Sequence, residues 1–348
     1  MNTFDFTEIQ LQHLITHHVG NKLRDEKNRL SIEQSTFAEE TKHFLLKYFL
    51  LPIKQDEFFS FSHSVKLSLN EVYTIIQDMF SKPKSFVRLS QNIAKLLYEY
   101  SMHPKIKEGE LNIVYFSNVV LNGELIDAIG IFKSEVDVPF IKMKKEKTKF
   151  RISHDFGFEL KGIDKGCLIF NTSSKHGYKI LIVGNSNKSD EAQYWKDDFL
   201  KLKPISNEFY QTKQFLDITK EFVTKQLLEE FEISKPDKID LLNRSVEYFK
   251  MNENFDRSDF EKKVLQNSGI IKSFRNFDST YRVKNDINLT DNFEISRQAV
   301  KKQARAFKSV LKLDKNFHIY IHGNRELIEQ GVEKDGRKFY KIYFHEEL

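Results

Sequence analysis

Two clusters of basic side chains carry the most suggestive chemistry in the chain. Lys142, Lys144, Lys145, Lys147, Lys149 and Arg151 crowd into ten residues against Glu146 alone. Arg297, Lys301, Arg305, Lys308 and Lys312 recur at intervals of 4, 4, 3 and 4 residues. At about 100° per residue such spacing holds five cations within an arc of roughly 80° on a helix. Ile295, Ala299, Phe307 and Val310 fall on the other side. A one-signed row repels itself unless a polyanion neutralises it, so nucleic-acid phosphates are the natural partner, although many charged helix faces only meet water. Just upstream, Lys272, Arg275, Arg282 and Lys284 interleave with Phe274, Phe277 and Tyr281, a mixture suited to backbone contacts with base stacking.

Other chemistry is thinner. Glu124, Asp127, Lys133 and Glu135 lie along one strand-like segment. Asp127, Lys133 and Glu135 share a face at period two, as a Mg²⁺-dependent nuclease site would need, or as the solvated face of a sheet would give. His13 and His17, with His18, are spaced for one face of a helix, but no third ligand stands at a motif spacing, and no metal site is expected. Cys167, the only cysteine, sits in the apolar run Gly166–Phe170, where it reads as a buried core residue and not a nucleophile. One cysteine also excludes a disulfide framework or a Cys-based zinc cluster, and fits a reducing cytoplasm. The chain has no phosphate-binding Gly-rich loop, nucleophile elbow or His-Glu-x-x-His.

These groups need elements to hold them. The 348 residues are 40% apolar and 30% charged, with a net charge of +5. That charge excess is too small for binding to nucleic acid by bulk charge alone, so its placement matters. The mean hydropathy of −0.51 fits a soluble protein. Nothing in the first ten residues resembles a secretion signal, and no run approaches the ~20 apolar residues of a membrane span, so no membrane partner is expected.

The length predicts two domains, and the change of character near Lys203–Ser206 divides them into 1–204 and 205–348. In the first, helices are expected over Thr36–Leu51 and Ser85–Met102. Leu111–Leu121 and Glu124–Val136 read as an antiparallel hairpin, because Asn122-Gly123 supplies the two positive-φ positions of a type I′ turn. Further strands are expected at Lys149–Leu160, Gly166–Thr172 and Tyr178–Val183, the last two paired, and a short helix at Asp190–Lys201. The second part reads as helices over Glu208–Phe231, Asp237–Met251 and Ser258–Asn267, capped by Asp237 and Ser258. A long loop follows at Asn267–Asn292, then a helix over Phe293–Leu313 and strands at Phe317–His322 and Arg337–Phe344. The fold class is therefore α+β: an N-terminal antiparallel sheet with flanking helices, then a mainly helical C-terminal region ending in a β-hairpin.

The run from Phe293-Glu294-Ile295-Ser296 through Ala299-Val300-Lys301-Lys302-Gln303 to Phe307–Gly323 resembles the bacterial nucleoid-associated proteins of the NdpA-like family. Ile163–Cys167, and Tyr194-Trp195 leading into Phe199-Leu200, are similar to that family as well. The resemblance implies a cytoplasmic, nucleoid-located, non-enzymatic protein without a cofactor. It would bind DNA with low sequence specificity, or proteins that process DNA, and it leaves a homo-oligomer open. It carries over no catalytic or base-reading residue, so the expected phosphate contacts rest on the two clusters, 297–312 and 142–151. A nuclease or other phosphate-processing enzyme with its site on the sheet is the alternative, and a scaffold recruited to the nucleoid by a partner is a third.

Overall fold

The computed structural model describes residues 4–53, 57–135, 137–160, 162–184, 194–304, 307, 310–313, 316–320 and 327–346. The chain folds as two compact units, 1–205 and 206–348. The architecture is α+β.

The first unit is built on an antiparallel sheet. Its strands are β1 (Phe4–Asp5), β2 (Gln10–Val19), β3 (Phe58–Phe61), β4 (Gly109–Leu121), β5 (Glu124–Ser134), β8 (Lys165–Phe170), β9 (Lys179–Gly184) and β10 (Leu202–Pro204). The order is β1-β4-β5-β8-β9-β3-β10, with β2 also lying along β4. The β4–β5 hairpin turns through Asn122 and Gly123 as expected, with φ of 54° and 84°. Strands β8 and β9 pair through the short loop that ends at Gly177.

Period two sends alternate side chains to opposite faces, and here both faces are covered. Ile113, Ile129, Ile131, Cys167 and Ile169 pack under α2 (Glu71–Ser81), α3 (Phe86–Tyr100) and the π-helical turn Tyr194–Phe199. Val114, Phe116, Phe132, Leu168 and Phe170 pack with Tyr48 and Phe49 of α1 (Glu39–Leu50). Cys167 is fully buried, and burial pushes its thiol pKa up. Trp195, in the π turn, is also fully buried, and its indole Nε1 finds no hydrogen-bond partner among the described residues. Of the helix expected over 190–201, residues 190–193 lie outside the described residues.

The histidines expected at helical spacing lie instead on β2. His17 is buried; the Ser31 amide donates to its Nδ1 at 3.1 Å, and its Nε2 lies 3.0 Å from Ser90 Oγ. His13 meets Gln34, and His18 meets Glu108 and Glu110. Among the described residues no three His, Cys, Asp or Glu side chains converge on a possible metal position.

Between β5 and β8 the chain makes a second hairpin. Strands β6 (Val138–Glu146) and β7 (Lys149–Gly157) pair with each other over nine positions and, among the described residues, with no other strand.

The second unit packs α4 (Glu208–Glu221, continued by a π turn at Phe222–Gln226), α5 (Lys235–Met251), α6 (Ser268–Lys284) and α7 (Arg297–Ala304) around Phe215, Phe222, Phe249, Phe255, Phe260 and Phe274. Short strands β11 (Asn254–Asp256) and β12 (Asn292–Glu294) pair, and two hairpins follow: β13 (Val310–Leu313) with β14 (Phe317–Tyr320), and β15 (Ile328–Val332) with β16 (Lys338–Ile342).

Several expectations are corrected here. The stretch 267–292 is mostly helix α6, whose apolar face packs on α4 and its π turn. The true N-caps are Ser234, accepting from the Asp237 amide, and Asp256, accepting from the Asp259 amide. The expected terminal β-hairpin is present, β14 pairing with β13 and β16 with β15. No helix among the described residues is long and apolar enough to cross a membrane.

Candidate nucleic-acid interface

The described members of the basic stripe expected on one helix are divided between two elements. Helix α7 ends at Ala304, and Lys312 lies on β13 opposite His318. Val310–Leu313 fits the helical period, but so short an apolar run fits a strand equally well. Here the partner strand Phe317–Tyr320, four residues on, decides the matter. Arg305 and Lys308 lie outside the described residues. Of the five cations, Arg297 and Lys301 are brought together one helical turn apart, both exposed on α7. The Arg297 guanidinium donates to the Lys250 carbonyl.

Of the aromatics of 272–284, Phe274 belongs to the core, and Phe277 and Tyr281 are half-buried against it. Phe274 is fully buried, and Phe274 and Phe277 lie 5.2 and 5.7 Å from Phe222, ring centre to ring centre. Of the cations beside them, the arginines are taken up by carboxylates, while Lys272 and Lys284 are exposed and make no ion pair among the described residues. Arg275 meets Glu261 at 2.6 Å, Arg282 meets Asp278 at 2.6 Å, and Arg257 reaches Asp278 at 2.7 Å and Asp291 at 3.1 Å. Glu261 and Asp278 are themselves buried.

The cluster at 142–151 behaves differently. It is no loop between strands but the distal part of the β6–β7 ribbon, with Lys147-Thr148 as the turn. Cross-strand partners share a face, so the register sorts the ribbon into two chemistries. Lys142/Ser153, Lys144/Arg151 and Glu146/Lys149 lie on one face, with Phe140/Asp155 at its base. Pro139/Phe156, Ile141/His154, Met143/Ile152 and Lys145/Phe150 lie on the other. The six cations face only two carboxylates. Lys142 pairs with Asp155 and Arg151 with Glu146, while Lys144, Lys145, Lys147 and Lys149 make no ion pair among the described residues. All six are exposed.

A family model described as nucleoid-associated protein YejK matches residues 15–337. The chain belongs to that family. The match runs across the sheet, the ribbon and most of the second unit, so the nucleoid association applies to the fold as a whole. No curated protein matches the chain.

The carboxylates considered for a nuclease do not gather. Asp127 accepts a hydrogen bond from Tyr115 at 2.7 Å, which with burial pushes the phenol pKa up. Eight residues further along, about 26 Å at strand rise, the Glu135 side chain lies buried between two lysines. Lys133 Nζ donates to it at 3.0 Å and Lys165 Nζ at 2.6 Å, while the Glu135 amide donates to Asp164 at 2.7 Å. Lys133 also donates to the Lys107 carbonyl, and burial pulls its pKa down while Glu135 opposes that pull. The arrangement closes the end of the sheet with mutual charge pairing. Sequence spacing could place Lys133 and Glu135 on one face, but Lys165 and Asp164 arrive only through the β5–β8 register.

Proposed function

We propose that this nucleoid-associated chain binds duplex DNA directly, with low sequence specificity and without catalysis, in a bacterial cytoplasm. The cationic face and tip of the β6–β7 ribbon make the principal contacts. The observation that carries this reading is that Lys144 and Lys149 on that face and Lys147 at the tip are exposed and make no ion pair among the described residues, beside Lys142 and Arg151. A two-stranded ribbon is narrow enough to enter a DNA groove, and lysines contacting phosphates position a protein without reading bases. Arg297 and Lys301 on α7 supply an accessory contact. Recruitment of DNA-processing proteins is compatible with this role.

The test is a titration of duplex DNA at several salt concentrations. Four phosphate contacts release counterions with a slope of log K against log[salt] near −3.6, about −0.9 per contact. Plasmid incubated with Mg²⁺ should be retarded and stay intact. A slope near zero, or retardation that survives Lys144→Glu with Lys149→Glu, would remove the ribbon as the interface. Chelator-sensitive cutting would move the function to an enzyme.

A further inference from the structure

The apolar face of the same ribbon has no cover among the described residues of its own unit. Ile141, Met143, Phe150, Ile152 and Phe156 are between 56 and 69% exposed, although they form a contiguous row on one side of a hairpin paired over nine positions. An isolated two-stranded hairpin is marginal in water, and such a row calls for a covering surface. We infer that this face packs against the same face of a second copy of the chain, so that the protein is a ribbon-to-ribbon dimer.

Three features favour a second copy over other occupants. The first is charge: the face bears no carboxylate, and its only polar side chains are Lys145 and His154 at its margins. Nothing on it marks a partner of opposite charge, and apolar side chains cannot satisfy DNA phosphates. The second is area. Five large side chains so exposed offer on the order of 600 Å² per ribbon, so two copies bury about 1,200 Å², the lower limit for a stable specific interface. The third is self-complementarity. A two-fold axis running across the strands at the Met143–Ile152 pair brings that pair onto itself, and Phe150 of one copy onto His154 of the other. Both cationic faces then point outward, each able to meet DNA.

This arrangement predicts an opposite response to salt from that of DNA binding. Each ribbon carries six cations and two carboxylates, a net +4. Stacked sheets lie about 10 Å apart, close to the screening length at physiological ionic strength, so added salt relieves repulsion between the two copies.

The experiment is sedimentation of the full chain without DNA, at 0.05 and 0.5 M NaCl, for wild type, Ile152→Asp and Ile152→Cys. Residue 152 is exposed, so both variants should fold, as circular dichroism would verify. Wild type should be a dimer whose dissociation constant falls several-fold at the higher salt, and Ile152→Asp a monomer. Ile152→Cys should be joined to its mate by a short bis-maleimide, whose reach matches two ribbons about 10 Å apart, against little background because Cys167 is buried. The inference is overturned if wild type stays monomeric at about 100 μM in high salt, if Ile152→Asp remains dimeric, or if Ile152→Cys stays unlinked while dimeric. A monomeric wild type that loses DNA, or neutral phospholipid vesicles, on Ile152→Asp would assign the face to that ligand instead. The dimer is read without DNA, so failure of the DNA titration leaves this result standing, and the reverse also holds.

Discussion

The ribbon and the helical segment 257–284 are both rich in basic side chains, with six cations between 142 and 151 and seven between 257 and 284. They use them in opposite ways. In the helical segment Arg257, Arg275 and Arg282 converge on the buried carboxylates Glu261 and Asp278, and the charges hold the unit together. In the ribbon four lysines face solvent and make no ion pair among the described residues, although Glu146 stands across from Lys149. The number of cations in a segment therefore says little about the field it presents. What matters is whether the fold returns a carboxylate to each one.

The contrast can be broken at several points. The largest expected effect is on the buried pair. Asp278→Ala leaves the largely buried Arg282 with no carboxylate among the described residues and should cost about 3–5 kcal/mol of stability in the second unit, measured by urea denaturation. DNA affinity below the transition should be unchanged. A loss under 1 kcal/mol would show that those ion pairs are ornamental.

Next comes a pH effect in the sheet that carries the ribbon. Burial holds His17 down to about 4 from an ordinary 6.5, and its Nδ1 is occupied as the acceptor from the Ser31 amide. Between pH 6.5 and 4 the unfolded chain binds a proton that the folded one refuses. Stability is therefore full above pH 6.5 and falls as the pH drops through that window, by about 3 kcal/mol at the lower end. Thermal melts of wild type and His17→Gln across the window should show the slope in the former and its removal in the latter.

Smaller again is the binding effect. Each counterion-releasing contact is worth about 5-fold at 0.15 M salt, so Lys144→Glu with Lys149→Glu should weaken DNA binding about 30-fold or more. Arg297→Glu with Lys301→Glu should cost less, as an accessory contact. Equal losses would erase the distinction between the two regions. The smallest expected effect is Lys144→Gln on folding, within about 0.5 kcal/mol of wild type in the same denaturation assay.

The sheet was largely legible in the sequence because its signals are local. Asn122-Gly123 can only turn one way, and the runs that pair across it are β-branched and aromatic. The basic cluster at 142–151 was legible as charge but not as a surface. Its two faces exist only once Met143 is paired with Ile152 and Lys144 with Arg151, and that register depends on a turn at Lys147-Thr148 with no strong local signature. The stripe at 297–312 failed for a related reason: Val310–Leu313 satisfies the helical period as well as the strand period, and a strand beginning four residues downstream settles which applies. The polar stretch 268–284 looked irregular because its carboxylates and arginines are placed for partners on other elements, which leaves its own amphipathic pattern weak.

The placement of Trp195 has a practical consequence. It is the only tryptophan in the chain, it is fully enclosed by the apolar core of the first unit, and the second unit has none. Its emission should therefore be strongly blue-shifted in the native protein and should move to the red only when the first unit opens. A melt followed by fluorescence and by far-ultraviolet dichroism together would then separate the unfolding of the two units without any label. A dichroic transition with no spectral shift in emission belongs to residues 206–348.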